Sequence, residues 1–318
     1  MFDVCCLGIL VADITVKPVD RLPEPGGLSI IDPIRLGLGG CAANTAVCLK
    51  KIGISSTVIG STGRDSFGTY IVDTLKANGI GAEGVAVLEG TPTSAAIVLV
   101  GGKGERSFLH NPGTNGIFSD RDVNFDIIKN SKILLISGAL LMPTLDGIQT
   151  AQILKHARKH GIYTALDTAR DATGRWLESI GPCLEHLDLF IPSIDEAEML
   201  SNKKDPVDMA DFFLARGVKL CVIKLGKQGC YIKSANGKSF TIPSYDRIAA
   251  KDTTGAGDSF VAGFLTGILK GWEPPQCGRF ANAVGTHCVS QMGTTAGICS
   301  LERTLEFMRE YENGRDII

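Results

Sequence analysis

Short runs of strand-forming residues alternate with amphipathic helical segments along almost the whole chain. The predicted strands lie near residues 4–8, 57–60, 132–137, 163–167, 187–191 and 220–224. A helix is predicted over residues 144–160, with Gly161 ending it in a left-handed conformation. This alternation is typical of a mostly parallel sheet with helices on both faces. The sequence therefore predicts a doubly wound α/β fold, in which ligands collect at the carboxyl ends of the strands.

Two regions interrupt the alternation. Residues 14–38 form one such region and residues 93–109 the other. Each contains extended segments with proline and glycine, and within neither region is a helix predicted between its segments. We expect them to form a small antiparallel sheet that projects from the core of one domain spanning residues 1–318. Exposed strand edges in such a projection favour pairing between two copies of the chain.

Composition excludes several classes of protein. The chain has 318 residues, 44% of them apolar, and a net charge of −2, which gives no general reason to expect nucleic acid or an anionic membrane as partner. No apolar run is long enough to span a bilayer, and the first residues lack the pattern of a signal peptide. Ten scattered cysteines without a C-x-x-C pair indicate reduced thiols. The expected location is cytoplasmic.

The strongest functional motif is DTTGAGDSF at residues 252–260. Gly255 and Gly257 allow several backbone N–H groups to point at one spot, and a helix over about 258–270 would aim its positive end there. Such a site binds an anion. Asp258 lies at its edge, where we expect the carboxylate to be ionised and able to accept a proton. A helix start capped by an aspartate, without catalysis, is the alternative.

A second glycine-rich motif, GLGGCAANTAV at residues 37–47, also enters a helix of small residues. Together the two motifs resemble the signatures of the ribokinase-like (PfkB) carbohydrate kinase family, and the resemblance extends over nearly the whole chain. It implies a ribokinase-like fold, in which the small sheet forms a lid over a sugar and often a dimer contact. It further implies Asp258 as general base, with the backbone of Gly255, Ala256 and Gly257 stabilising the transferring phosphoryl group.

Four residues are candidates for binding the acceptor. Asp13 follows the first strand, where a carboxylate can bind two hydroxyls of a polyol, although a plain loop aspartate is the alternative. Gly39 and Gly40 would let backbone N–H groups approach the acceptor. Asn44 offers a donor and an acceptor to a hydroxyl pair, and an asparagine buried in a helix without a partner would be costly.

The resemblance also implies residues for ATP and for metal ions. Those expected at the nucleotide are Lys224, Gly226, Gly229 and Asn282. The alternatives are that Lys224 caps its strand and that the glycine pair only forms a hairpin turn. Glu196 matches the glutamate of the family's Asn-x-x-Glu motif, which positions Mg²⁺ through water, whereas Ser193 replaces the asparagine. Asp252 and Thr254 match places where relatives bind a monovalent cation such as potassium.

The predicted reaction is ATP-dependent phosphorylation of a hydroxymethyl group of a sugar, as in ribokinases and fructokinases. Cys41 and Ala42 replace the Lys-Gly pair common in ribokinases, which leaves the identity of the sugar open. A nucleoside kinase is an alternative, with Phe108 as a candidate for stacking on a base. A sugar phosphate would need a cation, for which Arg106 is a possible source. A sugar-sensing protein without activity is the remaining alternative.

Overall fold

The structure is a computed structural model that describes residues 1–102, 105–171, 173–246 and 248–314. Residues 103 and 104 of the second predicted lid segment therefore lie outside the described residues. In chain order the strands of the described part are β1 (Phe2–Gly8), β2 (Val11–Val16), β3 (Arg35–Gly39), β4 (Ser56–Gly63), β5 (Gly81–Leu88), β6 (Ala95–Val100), β7 (Arg106–Asn111), β8 (Ser131–Ala139), β9 (Tyr163–Thr168), β10 (Leu189–Phe190), β11 (Leu220–Lys224), β12 (Cys230–Ser234) and β13 (Ser239–Ile242).

Helices separate most of these strands. In chain order the α-helices of the described part are α1 (Cys41–Ile52), α2 (Ser66–Ala77), α3 (Phe125–Lys129), α4 (Ile148–Lys159), α5 (Trp176–Ile180), α6 (Ile194–Ser201), α7 (Pro206–Leu214), α8 (Ala256–Leu269), α9 (Pro274–Val289) and α10 (Leu301–Glu312). No helix in the described ranges combines the length and the apolar character needed to cross a membrane.

The large sheet has the strand order β13-β12-β11-β10-β9-β8-β1-β4-β5 in the described residues. Its strands are parallel from β5 to β11, and β12 and β13 extend it as an antiparallel edge. Successive residues of β1 enter different cores: Val4 and Cys6 pack on one face, whereas Cys5 and Leu7 pack on the other. Both faces are thus covered by apolar side chains, which confirms the predicted doubly wound α/β fold.

The small sheet has the order β3-β2-β6-β7 in the described residues. The prediction of an antiparallel sheet was wrong at its centre, because β2 and β6 pair in parallel. Only the outer pairs, β2 with β3 and β6 with β7, are antiparallel. The reason is that the chain passes through the core between β3 and β6 and then enters the small sheet again in the direction of β2.

Two predicted boundaries also differ. The helix predicted over residues 144–160 begins only at Ile148, because the Asp146 carboxylate accepts a hydrogen bond from the backbone N–H of Met142 at 3.0 Å and holds a turn. Gly147 then adopts a φ of 92°, outside the helical range. The strand predicted over residues 187–191 is reduced to β10.

Candidate active site

Asn44 on α1 and Asp258 on α8 meet at the carboxyl edge of the large sheet. The Nδ2 group of Asn44 donates a hydrogen bond to Oδ2 of Asp258 at 2.9 Å. Both side chains are buried. The two glycine-rich motifs singled out in the sequence are therefore parts of one site.

Asn44 has one polar atom left over. Its Oδ1 atom is buried and has no hydrogen-bond partner among the described residues. Leaving a buried acceptor without a partner costs about 1–3 kcal/mol. A ligand hydroxyl that donates to Oδ1 would remove that cost, as the sequence predicted for this residue.

Burial governs the acidity of Asp258. It raises the pKa of this carboxyl from 3.8 to about 6, while the hydrogen bond from Asn44 and the charge of Lys224 oppose the rise. The sequence prediction considered only the helix N-terminus and therefore underestimated this effect. With a pKa of about 6, the group is mostly ionised at neutral pH and is matched to accepting a proton.

The loop before α8 depends on its glycines in two different ways. Gly255 has a φ of 77°, and a Cβ at this position would lie 2.4 Å from the backbone oxygen of Thr294. At Gly257 a Cβ would meet only Nζ of Lys224, at 3.5 Å. The Lys224 ammonium thus adjoins the predicted anion site, and no described side chain caps the start of α8. The helix end and Lys224 together make this spot favourable for a phosphate group.

Lys224 also forms a buried ion pair at the ends of β9 and β11. Its Nζ atom lies 2.6 Å from Oδ1 of Asp167. Burial raises the pKa of Asp167, and the Lys224 ammonium opposes that rise. Against the opposing effect of burial, the negative charges of Asp167, Glu196 and Asp258 all raise the pKa of Lys224, although only Asp167 is in direct contact with its ammonium in the described residues.

Glu196 is held by α6 itself and by β9. Its Oε2 atom accepts from the backbone N–H of Ser193 and from Oγ1 of Thr168, both at 2.9 Å. The hydroxyl oxygen of Ser193 in turn accepts a hydrogen bond from the backbone N–H of Glu196 at 3.4 Å, and this bond completes a capping box. The serine that replaces the expected asparagine therefore serves as the N-cap of α6.

Asp13 lies on β2 against the end of β3. A Cβ at Gly39 would lie 2.1 Å from Oδ2 of Asp13, so any larger residue there would have to displace that carboxylate. At Gly40 the φ is 91°, and a Cβ would approach the backbone oxygen of Ile9 to 2.3 Å. Burial raises the pKa of Asp13 to about 6 against the opposing charge of Arg106.

The residues predicted at the nucleotide do not all present free polar groups. Gly226 has a φ of 59° and faces open space, whereas a Cβ at Gly229 would lie 2.0 Å from the backbone oxygen of Ile242. Asn282 is buried, and its Nδ2 group donates to the backbone oxygens of Ile242 and Pro243 at 3.2 and 3.0 Å. That amide nitrogen ties α9 to the end of β13, and an adenine contact by Asn282 stays a prediction.

The sequence did not predict which groups the side chain of Arg106 contacts. It extends from the lid strand β7, and its Nη2 atom lies 2.5 Å from Oδ2 of Asp252. Its Nη1 group donates to the hydroxyl of Thr254. Asp252 also accepts from the backbone N–H groups of Thr254 and Gly293, at 2.9 and 2.7 Å. Burial alone would raise the pKa of Asp252, but these partners outweigh burial and lower it.

No group of three or more histidine, cysteine, aspartate or glutamate side chains in the described residues forms a cage for a metal ion. Mg²⁺ is commonly held by one or two carboxylates together with substrate phosphates and water. Three carboxylates fit that mode of binding. Asp167 contacts the Lys224 ammonium beside the predicted phosphate site, and Asp258 lies in the first turn of α8. Glu196 is hydrogen-bonded to Thr168, the residue after Asp167.

Comparison with known proteins identifies the family of the chain. The family model described as pfkB family carbohydrate kinase matches residues 1–300. The chain is 30% identical to a ribokinase of Schizosaccharomyces pombe over 316 residues, covering 95% of this chain and 96% of that protein. It is 30% identical over 298 residues to a probable fructokinase-5 of Arabidopsis thaliana, covering 86% and 90%. Among solved structures, Arabidopsis thaliana ribokinase complexed with ribose and ATP superposes with a TM-score of 0.82 at 25% identity, covering 97% of this chain and 99% of that one.

Proposed function

Because the chain belongs to the pfkB family of carbohydrate kinases, we propose that it transfers the terminal phosphoryl group of ATP to a hydroxymethyl group of a sugar. The observation that carries the proposal is the buried Asp258 carboxylate, held by Asn44 at the edge of a helix N-terminus suited to phosphate. A base and an anion site side by side are what phosphoryl transfer to a hydroxyl requires.

In the proposed reaction Asp258 takes the proton of the acceptor hydroxyl. The hydroxyl oxygen forms a bond to the terminal phosphorus of ATP, the bond from that phosphorus to its bridging oxygen breaks, and ADP leaves. The backbone of Gly255, Ala256 and Gly257, with the Lys224 ammonium nearby, would stabilise the charge on the transferring group.

We propose that Glu196 would hold, through water, a Mg²⁺ ion bound together with the nucleotide. When bound, Mg²⁺ neutralises phosphate charge. The order around Glu196 supports this role, since Ser193 and Thr168 fix its Oε2 atom. Gly226 and Gly229 would line the nucleotide, with Asn282 behind them.

A sugar suits the acceptor pocket because the groups that face it accept hydrogen bonds. Oδ1 of Asn44 has no partner among the described residues, and Asp13 presents a carboxylate on the adjoining lid strand. Several hydroxyl donors on one small molecule match these acceptors. Gly39 and Gly40 would add backbone contacts.

A nucleoside is the second candidate acceptor, and the position of Phe108 favours it. Side chains alternate along a strand, so Phe108 shares a face of β7 with Arg106, which contacts the predicted anion-hole loop. Phe108 is 57% exposed. A ring available on that face could stack on a nucleobase.

The experiment is ATP- and magnesium-dependent turnover of a panel of sugars, sugar phosphates and nucleosides, with Asp258→Asn beside the wild type. We expect the wild type to phosphorylate one class and the variant to be about a hundredfold slower or worse. Near-normal turnover by a folded Asp258→Asn protein would exclude the proposed base. Phe108→Ala distinguishes the two candidate acceptors, because it should lower the turnover of a nucleoside and leave that of a sugar unchanged.

We also propose a homodimer formed through the outer face of the lid. A row of apolar side chains lies in register across its strands: Leu36, Ile14, Ile97 and Leu109. All but Ile14 are 38–56% exposed. A contiguous apolar row of this kind is a common protein interface. Light scattering should give a dimer for the wild type and a monomer for Ile97→Asp. A monomeric wild type would contradict the proposal.

A cytoplasmic location fits this activity. All ten cysteines are free thiols, and only Cys41 and Cys299 are partly exposed. Thiols survive in reducing compartments. Titration of the denatured protein, purified without reductant, should find ten thiols, and a lower number would contradict this location.

A further inference from the structure

The groups predicted to bind a monovalent cation already have protein partners. The carboxylate of Asp252 accepts from two backbone N–H groups and from the Arg106 guanidinium. The backbone oxygen of Thr254 lies 3.4 Å from Sγ of Cys288, and that thiol is also 3.2 Å from the backbone oxygen of Thr294. The Asp252 carboxylate is thus paired with an arginine, and the two backbone oxygens share one thiol, which can donate to one of them at a time.

A cation would also be repelled. The Asp252 side chain is fully buried and that of Arg106 is 16% exposed, so their charges are poorly screened. A second positive charge beside the guanidinium would be disfavoured, because the one carboxylate there, that of Asp252, already faces the charge of Arg106. The residues present therefore do not fit a monovalent cation at this place.

The guanidinium fits the place well. It is planar, and its two Nη atoms engage two neighbouring groups, the carboxylate of Asp252 and the hydroxyl of Thr254. Thr254 directly precedes Gly255 of the predicted anion-hole loop. The positive charge of Arg106 is thus fixed beside that loop by contacts to oxygen atoms, as the charge of a bound cation would be.

We infer that Arg106, delivered by the lid, takes the place of a monovalent cation beside the anion-hole loop and makes the reaction independent of potassium. This inference rests on the proposed function. Arg106 acts as a positioning residue: it holds the loop through Asp252 and Thr254. Because it belongs to β7, the same contact joins the lid to the loop.

The test compares turnover in potassium chloride with turnover in tetramethylammonium chloride. The wild-type kcat should agree within about twofold between the two salts. Arg106→Ala should lose about a hundredfold in kcat in tetramethylammonium chloride and recover at least about tenfold on adding guanidinium or potassium ions. Arg106→Lys should retain more activity than the alanine variant. Arg35→Ala, which removes an exposed arginine from the lid strand β3, is the matched control and should behave as wild type.

Potassium activation of the wild type by about tenfold or more, or an Arg106→Ala protein that no cation rescues, would overturn the inference. A second measurement does not depend on catalysis. The melting temperature of the wild type should be equal in the two salts, whereas that of Arg106→Ala should be about 3 °C or more higher in potassium. A potassium-specific rise in the wild type would contradict the inference. If no acceptor is phosphorylated, the proposed function fails, and the melting temperatures still decide the role of Arg106.

Discussion

The amide of Asn44 and the carboxylate of Asp258 form a hydrogen bond of 2.9 Å across a separation of 214 residues in the sequence. Its donor group favours the ionised form of the carboxylate, while burial favours the neutral form. The acidity of the proposed base is therefore set jointly by two helices from opposite ends of the chain.

Removing the amide should shift the pH dependence of the reaction. The proposed base works only when ionised, so wild-type kcat/KM should fall as the pH drops through about 6. Asn44→Ala removes a bond that lowers the pKa of Asp258, so its acidic limb should move to higher pH. Profiles of kcat/KM against pH measure the shift. Thr45→Val, which removes a neighbouring buried hydroxyl, should leave the limb in place, and an unmoved limb in Asn44→Ala would contradict the role.

Asp258→Asn should be less active but more stable than the wild type. A pKa raised from 3.8 to about 6 means that the folded protein binds this proton more tightly than the unfolded chain does. The contribution of this group to the stability of the wild type therefore falls as the pH rises from about 4 to about 6. The amide of the Asp258→Asn variant does not titrate, so the variant does not lose this stability. Above this range the variant should gain up to about 3 kcal/mol in the free energy of unfolding. Urea unfolding at about pH 5, inside this range, and at about pH 8, above it, should show the larger gain at the higher pH; equal gains would refute the assignment.

Gly39→Ala should impair acceptor binding selectively. The new Cβ would lie 2.1 Å from Oδ2 of Asp13 and must displace that carboxylate. We expect the KM for the acceptor to rise about tenfold or more while the KM for ATP stays within about twofold. Gly37→Ala on the same strand is the control, because its Cβ would meet its nearest neighbour at an ordinary 3.7 Å. Equal effects of the two substitutions would show that Asp13 does not hold the acceptor.

The two loop glycines should respond differently to alanine. Gly255→Ala introduces a strained φ and an approach of 2.4 Å to the backbone oxygen of Thr294, so it should lower the free energy of unfolding by about 1–3 kcal/mol. Gly257→Ala fits the folded chain, yet its methyl group enters the proposed phosphate site. It should retain wild-type stability and lose about tenfold or more in kcat/KM for ATP. Thermal melting and steady-state kinetics on both variants give the comparison, and an active Gly257→Ala enzyme would exclude the phosphate site.

Local sequence signals were sufficient for the fold and for the motifs. The alternation of strands and helices predicted the doubly wound sheet because burial of both faces leaves a direct pattern in the chain. The glycines at 255 and 40 were recognisable because their backbone conformations exclude most other residues.

Features that depend on distant segments were missed. Arg106 and Thr254 are 148 residues apart, and no local pattern indicates that they meet. The parallel pairing of β2 with β6 depends on the path through the core between them. The raised pKa of Asp258 results from burial by other elements, which the position at a helix N-terminus does not reveal.

The parallel pairing at the centre of the lid also orders events during synthesis. β2 ends at Val16, and its partner β6 begins only at Ala95, after β3, α1, β4, α2 and β5. At about 5–20 residues per second, a ribosome needs on the order of 4–16 seconds to make the intervening chain. β2, the strand that carries Asp13, therefore cannot pair with β6 until residue 100 has been made. By then β1, β4 and β5 of the large sheet are already available to fold. A nascent chain therefore completes its lid strands after β1, β4 and β5 have been made but before β8 to β13, so the cover of the cleft is synthesised before most of the wall behind it.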